Sequence, residues 1–236
     1  MLKYIFANKY SDKIIFIGDT ALRYFYDLKR FSEDIDFDFF DLSRSQFNWM
    51  TDNLLRELQA LGFDVIIEDK KRFEDLKAFR RVFVFPELKY QMGISQQREA
   101  KFFIKVEAEP QHYNYLPEIK TINAFGVTSP VRTMPLGILF SSKIFAAIDR
   151  KKDRDFYDVA HLINFSVPDF GYLGKKCHIG TPERLKGTLL EVASERKLKT
   201  RKIYDCEHML FRKEDLEMIR SFTDYIDHFD FNRFNR

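Results

Sequence analysis

The pattern of apolar and polar positions predicts strands in the first half of the chain, with helices between them. Short apolar runs or strict alternation are typical of strands, and they cover residues 14–17, 34–40, 63–68, 78–85 and 102–108. Residues 88–93 are a weaker candidate for a further strand. Helical periodicity covers residues 20–28 and 46–61, and Gly62 supplies the expected C-cap of the second helix. Strands mixed with helices predict an α/β or α+β arrangement for this part of the chain.

The pattern changes after Pro110. Residues 111–135 contain three prolines and predict an irregular connection. From Leu136 onward helical periodicity dominates, with a helix start at Thr181-Pro182 and a long amphipathic pattern over residues 213–229. The predicted organisation is therefore a mixed core, a connection and a helical lobe, over residues 1–110, 111–135 and 136–236.

Composition and charge limit the class of protein. The chain has 236 residues, 45% of them hydrophobic, which is enough for a sizeable core. It has no apolar run of membrane-spanning length, no apolar signal segment at its start, and two cysteines outside any metal-ligand spacing. We therefore expect a reduced, cytoplasmic protein with no membrane partner. The net charge is +3, but residues 33–41 are densely acidic and residues 196–202 densely basic, which suits a metal centre near a polyanion-binding surface.

Asp34-Ile35-Asp36 is the segment of greatest chemical interest. On a strand the two carboxylates share one face, and they repel each other unless a cation lies between them. Hard oxygen ligands of this kind suit Mg²⁺ together with substrate phosphates. Gly18 follows a predicted buried strand and lies at an expected helix start. The backbone amides at such a helix N-terminus can bind the substrate phosphates. The pattern indicates metal-dependent chemistry on a nucleotide; the alternative is a solvated acidic strand edge continued by Asp38.

Lys143 is a cation on the apolar face of a predicted helix. At helical spacing it falls within an apolar stripe formed by Leu136, Leu139, Phe140, Ala147 and Ile148. A charge there requires a partner or a function unless the side chain extends to the edge of the stripe. Further along, Arg150 with Asp155, or Arg154 with Asp158, could form ordinary ion pairs on the helix surface.

Two separated blocks together resemble the AbiEii/AbiGii toxin family, which belongs to the polymerase-β-type nucleotidyltransferase superfamily. The first block is G-D-T-A-L at residues 18–22 followed by R-F-S-E-D-I-D-F at residues 30–37. The second is K-I-F-A-A at residues 143–147 followed by R-D-F-Y-D at residues 154–158. The resemblance extends over about residues 14–165. It implies an α+β fold: a nucleotidyltransferase-like mixed sheet flanked by helices, followed by a mostly helical C-terminal lobe.

The resemblance also implies a reaction and a site. The family transfers a nucleoside monophosphate from a nucleoside triphosphate to an acceptor hydroxyl with Mg²⁺ or Mn²⁺, releasing pyrophosphate. It implies Asp34 and Asp36 as metal ligands, and Glu107 (or, failing that, Glu109) as the third carboxylate, either a metal ligand or a general base. The implied phosphate-binding residues are Gly18, Asp19, Thr20, Ser32 and Lys143. Asp155 or Asp158 would form part of the active-site wall. For Ser32, a local turn or cap is an equal alternative.

The resemblance further implies partners and leaves alternatives open. It indicates a toxin of a bacterial toxin–antitoxin or abortive-infection system, with a cognate antitoxin. RNA, especially tRNA, is the indicated acceptor, and a protein or small-molecule hydroxyl is the alternative. The basic run at residues 196–202 favours a polyanion, with a solvated helix end and loop as the alternative. Asp19 departs from the usual second Gly or Ser of the first block. A carboxylate there would repel a triphosphate. A catalytically inactive nucleotide- or nucleic-acid-binding protein therefore remains open, as does a small-molecule nucleotidyltransferase.

Overall fold

The chain folds into two compact units. The computed structural model describes residues 1–68, 78–124, 126–198, 203 and 206–235. The first unit comprises residues 1–27 and 32–134, and the second comprises residues 28–31 and 135–236. The strands all belong to the first unit in the described chain, whereas the second is helical, so the predicted α+β class is confirmed.

A mixed seven-stranded sheet forms the centre of the first unit in the described residues. Its strands are β1 (Ile14–Ile17), β2 (Asp34–Phe39), β3 (Ile66–Glu68), β4 (Phe79–Phe85), β5 (Phe102–Ala108), β6 (Glu118–Ala124) and β7 (Val127–Thr133). Across the sheet the order is β3-β4-β5-β2-β1-β7-β6. The pairs β2–β5 and β1–β7 are parallel, and the other neighbours are antiparallel. β2 therefore lies in the middle of the sheet and not at an edge.

Four helices accompany this sheet in the described residues: α1 (Leu2–Phe6), α2 (Gly18–Tyr26), α3 (Arg44–Ala60) and α4 (Leu88–Gln91). A capping box starts α3, because Ser43 Oγ accepts from the Gln46 amide while the Gln46 side chain accepts from the Ser43 amide. Along α3, Phe47, Met50 and Leu54 are buried in the core of the unit. Gly62, with φ +89°, follows the helix in the left-handed conformation that glycine tolerates.

The two faces of β2 have opposite character, as its alternating sequence predicts. Ile35 and Phe37 are buried in the hydrophobic core, while Asp34 and Asp36 occupy the other face. Asp38 departs from the row, because it is buried and accepts hydrogen bonds from Tyr115 Oη at 2.6 Å and from the Gln111 amide at 2.9 Å. The alternative of a solvated acidic edge continued by Asp38 is therefore wrong.

The prediction of an irregular connection over residues 111–135 is wrong for residues 118–124 and 127–133, which form the antiparallel strands β6 and β7 of the first unit. The three prolines indicated an irregular segment, but their positions are compatible with the strands. Pro117 precedes β6 and Pro135 follows β7, while Pro130 lies within β7 at a point where only β6 is registered beside it. A strand tolerates proline where no ladder donor is required. Alternate β7 residues, Ser129, Val131 and Thr133, are buried.

Two local predictions also fail. Residues 88–93, a candidate strand, instead contain the single helical turn α4 (Leu88–Gln91). Its hydrogen bonds run from the amides of Gln91 and Met92 to the carbonyls of Glu87 and Leu88. A run this short does not distinguish strand from helix by periodicity. The amphipathic pattern over residues 213–229 is divided at Ser221, whose Oγ donates to the Glu217 carbonyl at 2.6 Å. The Ser221 amide still donates to the same carbonyl at 2.8 Å, and back-bonding of this kind bends a helix without removing its hydrogen bond.

The second unit is a helical assembly around its own core. Its helices, in the described residues, are α5 (Leu136–Asp149), α6 (Asp153–Leu162), α7 (Phe170–Cys177), α8 (Pro182–Glu195), α9 (Leu216–Arg220) and α10 (Phe222–His228). Thr181 caps α8 as predicted, since its side chain accepts from the Arg184 amide. At the core, the rings of Phe156 in α6 and Phe222 in α10 meet edge to face, with centroids 5.2 Å apart.

Two further sequence features concern membrane spans and the basic run. Within the described ranges, no helix has both the length and the apolar character needed to span a bilayer. Of the basic run over residues 196–202, residues 199–202 lie outside the described residues. Arg196 approaches Asp153, with Arg196 Nη2 3.9 Å from Asp153 Oδ1.

Candidate functional site

The registers of the first unit bring its predicted carboxylates together on one face of the sheet. β2 is parallel to β5, with Asp36 opposite Glu107 and Asp34 opposite Lys105. On the other side β2 is antiparallel to β1, with Asp36 opposite Ile17. Gly18 follows Ile17 directly and begins α2. Glu107 is thus registered beside Asp36, whereas Glu109, the fallback, lies beyond the end of β5.

Two basic side chains balance this acidic face. Lys105 Nζ lies 2.9 Å from Asp34 Oδ2 and 3.7 Å from Glu107 Oε2. Arg80 of β4 is opposite Glu107 and donates a hydrogen bond to its carboxylate. Burial alone would lower the pKa of Lys105, but the hydrogen bond to Asp34 and the charges of Asp34 and Glu107 raise it above its usual value. Lys105 therefore stays protonated among the carboxylates.

Asp36 is the strongly perturbed acid of the group. Its pKa is raised to about 7, mainly by burial and then by the neighbouring carboxylates of Asp34, Asp19 and Glu107, against the opposing effect of Lys105. A carboxyl group whose pKa is shifted by burial and by specific charged neighbours is a recognised mark of a functional site. Asp36 is protonated below neutral pH in this environment, and a bound cation would favour release of that proton.

Gly18 and Asp36 approach so closely that no side chain fits at residue 18. Gly18 has φ +77°, and a Cβ atom built on it would lie 2.5 Å from Asp36 Oδ2 and 3.0 Å from Asp36 Cβ. Both the backbone conformation and the contact therefore require glycine. The glycine of the first block thus allows the start of α2 to lie against the carboxylate of Asp36.

We expect Gly18→Ala to displace Asp36 and to lower both stability and activity. The positive φ and the clash together should cost about 1–3 kcal/mol of unfolding free energy. Urea denaturation checks the stability, with Gly62→Ala as the control. Gly62 also has a positive φ, of +89°, but nothing lies within 4 Å of a Cβ there, so only backbone strain applies. Equal losses in both variants would contradict the importance of the Gly18–Asp36 contact.

Thr20 and Ser32 tie the start of α2 to the start of β2. Thr20 Oγ1 hydrogen-bonds Ser32 Oγ at 2.9 Å and also the carbonyl oxygen of Asp34. For Ser32 the local structural role is therefore realised, while phosphate binding remains a prediction. A cavity of about 560 Å³ opens beside these residues, lined also by Arg23, Glu33 and Asn123.

Lys143, Asp155 and Asp158 belong to the second unit, where each has a protein partner. Lys143 is buried with its Nζ 3.3 Å from Asp158 Oδ2. Asp155 accepts two hydrogen bonds from Arg150, at 2.8 and 2.6 Å, which is one of the ion pairs that the sequence left open. The structure thus supplies the partner that a cation in an apolar stripe requires, and it is a carboxylate of α6.

Sequence reasoning did not single out Arg30, which the structure makes a central residue of this second cluster. Arg30 is completely buried and donates two hydrogen bonds of 2.6 Å to the two carboxylate oxygens of Asp158. The two residues are 128 positions apart in the chain. Arg30 is part of the first motif block, but the pattern of apolar and polar residues around it does not indicate that it is buried.

The carboxylates fit a hard metal ion in part. Among the described residues no group of three His, Cys, Asp or Glu side chains is arranged to hold a metal ion. Glu107 forms ion pairs with Arg80 and Lys105. Asp34 and Asp36 on one strand face remain, and one or two carboxylates completed by substrate phosphates are the usual protein share of a Mg²⁺ site.

Comparisons with known proteins identify the fold and the family of the chain. JHP933 from Helicobacter pylori is similar in fold, with a TM-score of 0.55 and 18% identity over 99% of this chain and 89% of that one. A candidate nucleotidyltransferase from H. pylori has a TM-score of 0.53 and 16% identity, over 99% and 92% of the two chains. No curated protein matches. The family described as nucleotidyl transferase AbiEii toxin, type IV toxin–antitoxin system, matches residues 1–228. The chain therefore belongs to the AbiEii nucleotidyltransferase toxin family.

Proposed function

We propose that this protein is a cytoplasmic, Mg²⁺-dependent nucleotidyltransferase that transfers a nucleoside monophosphate from a nucleoside triphosphate to a hydroxyl group of RNA. The observation that carries the proposal is the juxtaposition of Asp34, Asp36 and Glu107 on one sheet face beside the Gly18 start of α2. The RNA acceptor, with tRNA as the first choice, and a cognate antitoxin rest on family membership.

In the proposed reaction the acceptor oxygen bonds to the α-phosphorus, and the bond from that phosphorus to the oxygen bridging to the β-phosphate breaks. Pyrophosphate leaves, and the acceptor proton passes to a carboxylate, for which Glu107 is our candidate because it is registered beside Asp36. Asp34 and Asp36 would hold Mg²⁺ or Mn²⁺, which when bound stabilises charge on the phosphates. The amides at Gly18–Thr20 would cradle the triphosphate.

The basic residues have complementary proposed roles. Lys105 contacts Asp34, so a metal ion held by Asp34 would compete with it and free its charge for a phosphate. Lys143 remains a candidate for neutralising the leaving pyrophosphate, but it would have to exchange its contact with Asp158 for the phosphate. Asp155, held by Arg150, would act through the wall of the site and not on the reacting atoms.

The test is transfer of label from each α-labelled nucleoside triphosphate to tRNA, with pyrophosphate release measured in parallel. We expect metal-dependent transfer in the wild type and a fall of roughly 100-fold or more in Asp34→Ala, since a metal ion contributes several kcal/mol to such transition states. Asp41→Asn is the matched control, because the Asp41 side chain is 97% exposed and pairs with Lys13. Wild-type transfer by Asp34→Ala would contradict the proposed site.

A catalytically inactive nucleotide-binding protein is the second candidate. Asp19 favours it, because this carboxylate stands in the first turn of α2 and adds to the negative charge that raises the pKa of Asp36. Triphosphate binding without pyrophosphate release, for every nucleotide and acceptor tested, would support this candidate. Pyrophosphate release with a small-molecule hydroxyl but not with RNA would instead indicate the small-molecule nucleotidyltransferase.

A further inference from the structure

Residues 28–31 form a short connection, here called the strap, whose four residues are all held within the second unit. Leu28 is buried, and the Lys29 carbonyl accepts a hydrogen bond from Tyr157 Oη at 3.4 Å. Arg30 forms the buried two-bond pair with Asp158. The Phe31 amide donates to the Met209 carbonyl at 2.6 Å.

The strap joins the two elements that carry the candidate site. α2, which begins at Gly18, ends at Tyr26, and β2 begins at Asp34. Asp34 is three residues beyond the fixed Phe31, and an extended chain spans at most about 3.6 Å per residue. Thr20 also holds Ser32 and the Asp34 carbonyl. The start of β2 is thus held by Thr20 and follows the strap directly in the chain.

The charges of the strap contribute more to geometry than to stability. Arg30 and Asp158 have no exposed surface, and removing a charged pair from water commonly offsets its attraction. A planar guanidinium that donates two parallel bonds nevertheless fixes position and orientation, which a lysine or an apolar side chain does not. Lys143, 3.3 Å from Asp158, further constrains that carboxylate.

From these contacts we propose that Arg30 is a positioning residue for the acidic face of β2. Its pair with Asp158 holds the strap, and the strap sets where Ser32 and Asp34 enter the sheet. The inference builds on the proposed function, since it concerns the same carboxylates. It also gives the second motif block a role that needs no contact with the nucleotide: Asp158, with Lys143 beside it, acts on the site through Arg30.

The test is hydrogen–deuterium exchange of the full-length protein without nucleotide, so that its outcome does not depend on any transferase activity. Arg30→Lys keeps the charge but loses the two-bond geometry. We expect residues 32–36 to exchange roughly 10-fold faster, as in local opening, while α8 exchanges as in the wild type. Arg150→Lys is the matched control, because Arg150 forms the same two-bond geometry with Asp155 away from the strap. That variant should leave residues 32–36 unchanged.

A kinetic readout separates positioning from general structural loss. If the protein transfers nucleotides, Arg30→Lys should lower kcat about 10-fold or more with little change in the KM for the triphosphate, because misplaced reacting groups chiefly affect the transition state. Should Arg30→Lys fail to fold, Phe211→Ala serves instead. The half-exposed Phe211 ring contacts that of Phe31, with centroids 5.6 Å apart, and its loss should speed exchange of residues 32–36 more modestly. Wild-type exchange at residues 32–36 in both variants, or equal acceleration in Arg150→Lys, would overturn the proposal.

Discussion

Asp36→Asn will stabilise the metal-free protein at neutral and alkaline pH while removing metal-dependent activity. In the folded protein the pKa of Asp36 is raised to about 7, from an ordinary value of 3.8, mainly by burial and then by neighbouring carboxylates. The ionised form is therefore disfavoured in the fold relative to the unfolded chain. Asparagine has the same shape without the charge, so it removes this cost and also removes the metal ligand that we propose.

The sign of the pH dependence follows from proton binding. Between the unfolded and folded pKa values, the folded state holds the Asp36 proton while the unfolded chain has released it, so the wild type loses stability as pH rises. The advantage of Asp36→Asn should be smallest near pH 4, grow up to about pH 7 and then level off. Above about pH 7, we expect the unfolding free energy of Asp36→Asn to exceed that of the wild type by about 1–3 kcal/mol, after discounting for the partial exposure of Asp36.

Urea denaturation across this pH range, in the presence of a chelator, measures the difference. The exposed Asp41→Asn control should show no such growth with pH. With Mg²⁺ and a triphosphate present, the order should reverse, because ligands stabilise only the form that binds them. A difference between wild type and Asp36→Asn that is constant with pH would contradict the raised pKa, and tighter metal binding by the variant would contradict the role of Asp36 as a ligand.

The local part of the candidate site could be predicted from the sequence. Ile35 and Phe37 alternate with Asp34 and Asp36, and a period of two fixes which side chains share a face. The structure confirms this face and the strand that carries it. The glycine before α2 was visible in the same way, but its reason was not. The 2.5 Å approach of a Gly18 Cβ to Asp36 depends on the pairing of β1 with β2.

The non-local part could not be derived from periodicity. Glu107 lies beside Asp36 only because β2 pairs with β5 in a particular parallel register, and a one-residue slip would turn Glu107 to the other face. The family resemblance, not the pattern, supplied that residue. Lys143 shows the same limit. Its apolar neighbours in the sequence indicate that it needs a partner, but only the tertiary structure shows that this partner is Asp158 and that Arg30 binds the same carboxylate.

The second large effect is the loss of the Asp158 carboxylate. We expect Asp158→Ala to lower the unfolding free energy by about 3–5 kcal/mol, the usual cost of leaving a buried charge without its partner. Arg30 has no exposed surface and Lys143 is 6% exposed, so neither charge can return to water without opening the core of the second unit. Asp158→Asn, which keeps the volume and some hydrogen bonding, should lose less.

Asp155→Ala is the matched comparison, because Asp155 is equally buried, lies on the same helix and accepts two hydrogen bonds from an arginine. Its partner Arg150 has 39% of its side chain exposed, so the guanidinium can be solvated once the carboxylate is gone. We expect a loss of about 1–3 kcal/mol, the cost of broken hydrogen bonds to a charged group. Urea denaturation of the two variants measures the contrast. Equal losses would mean that exposure of the remaining cation does not govern the cost, and would remove the argument that Arg30 is held by a pair it cannot leave.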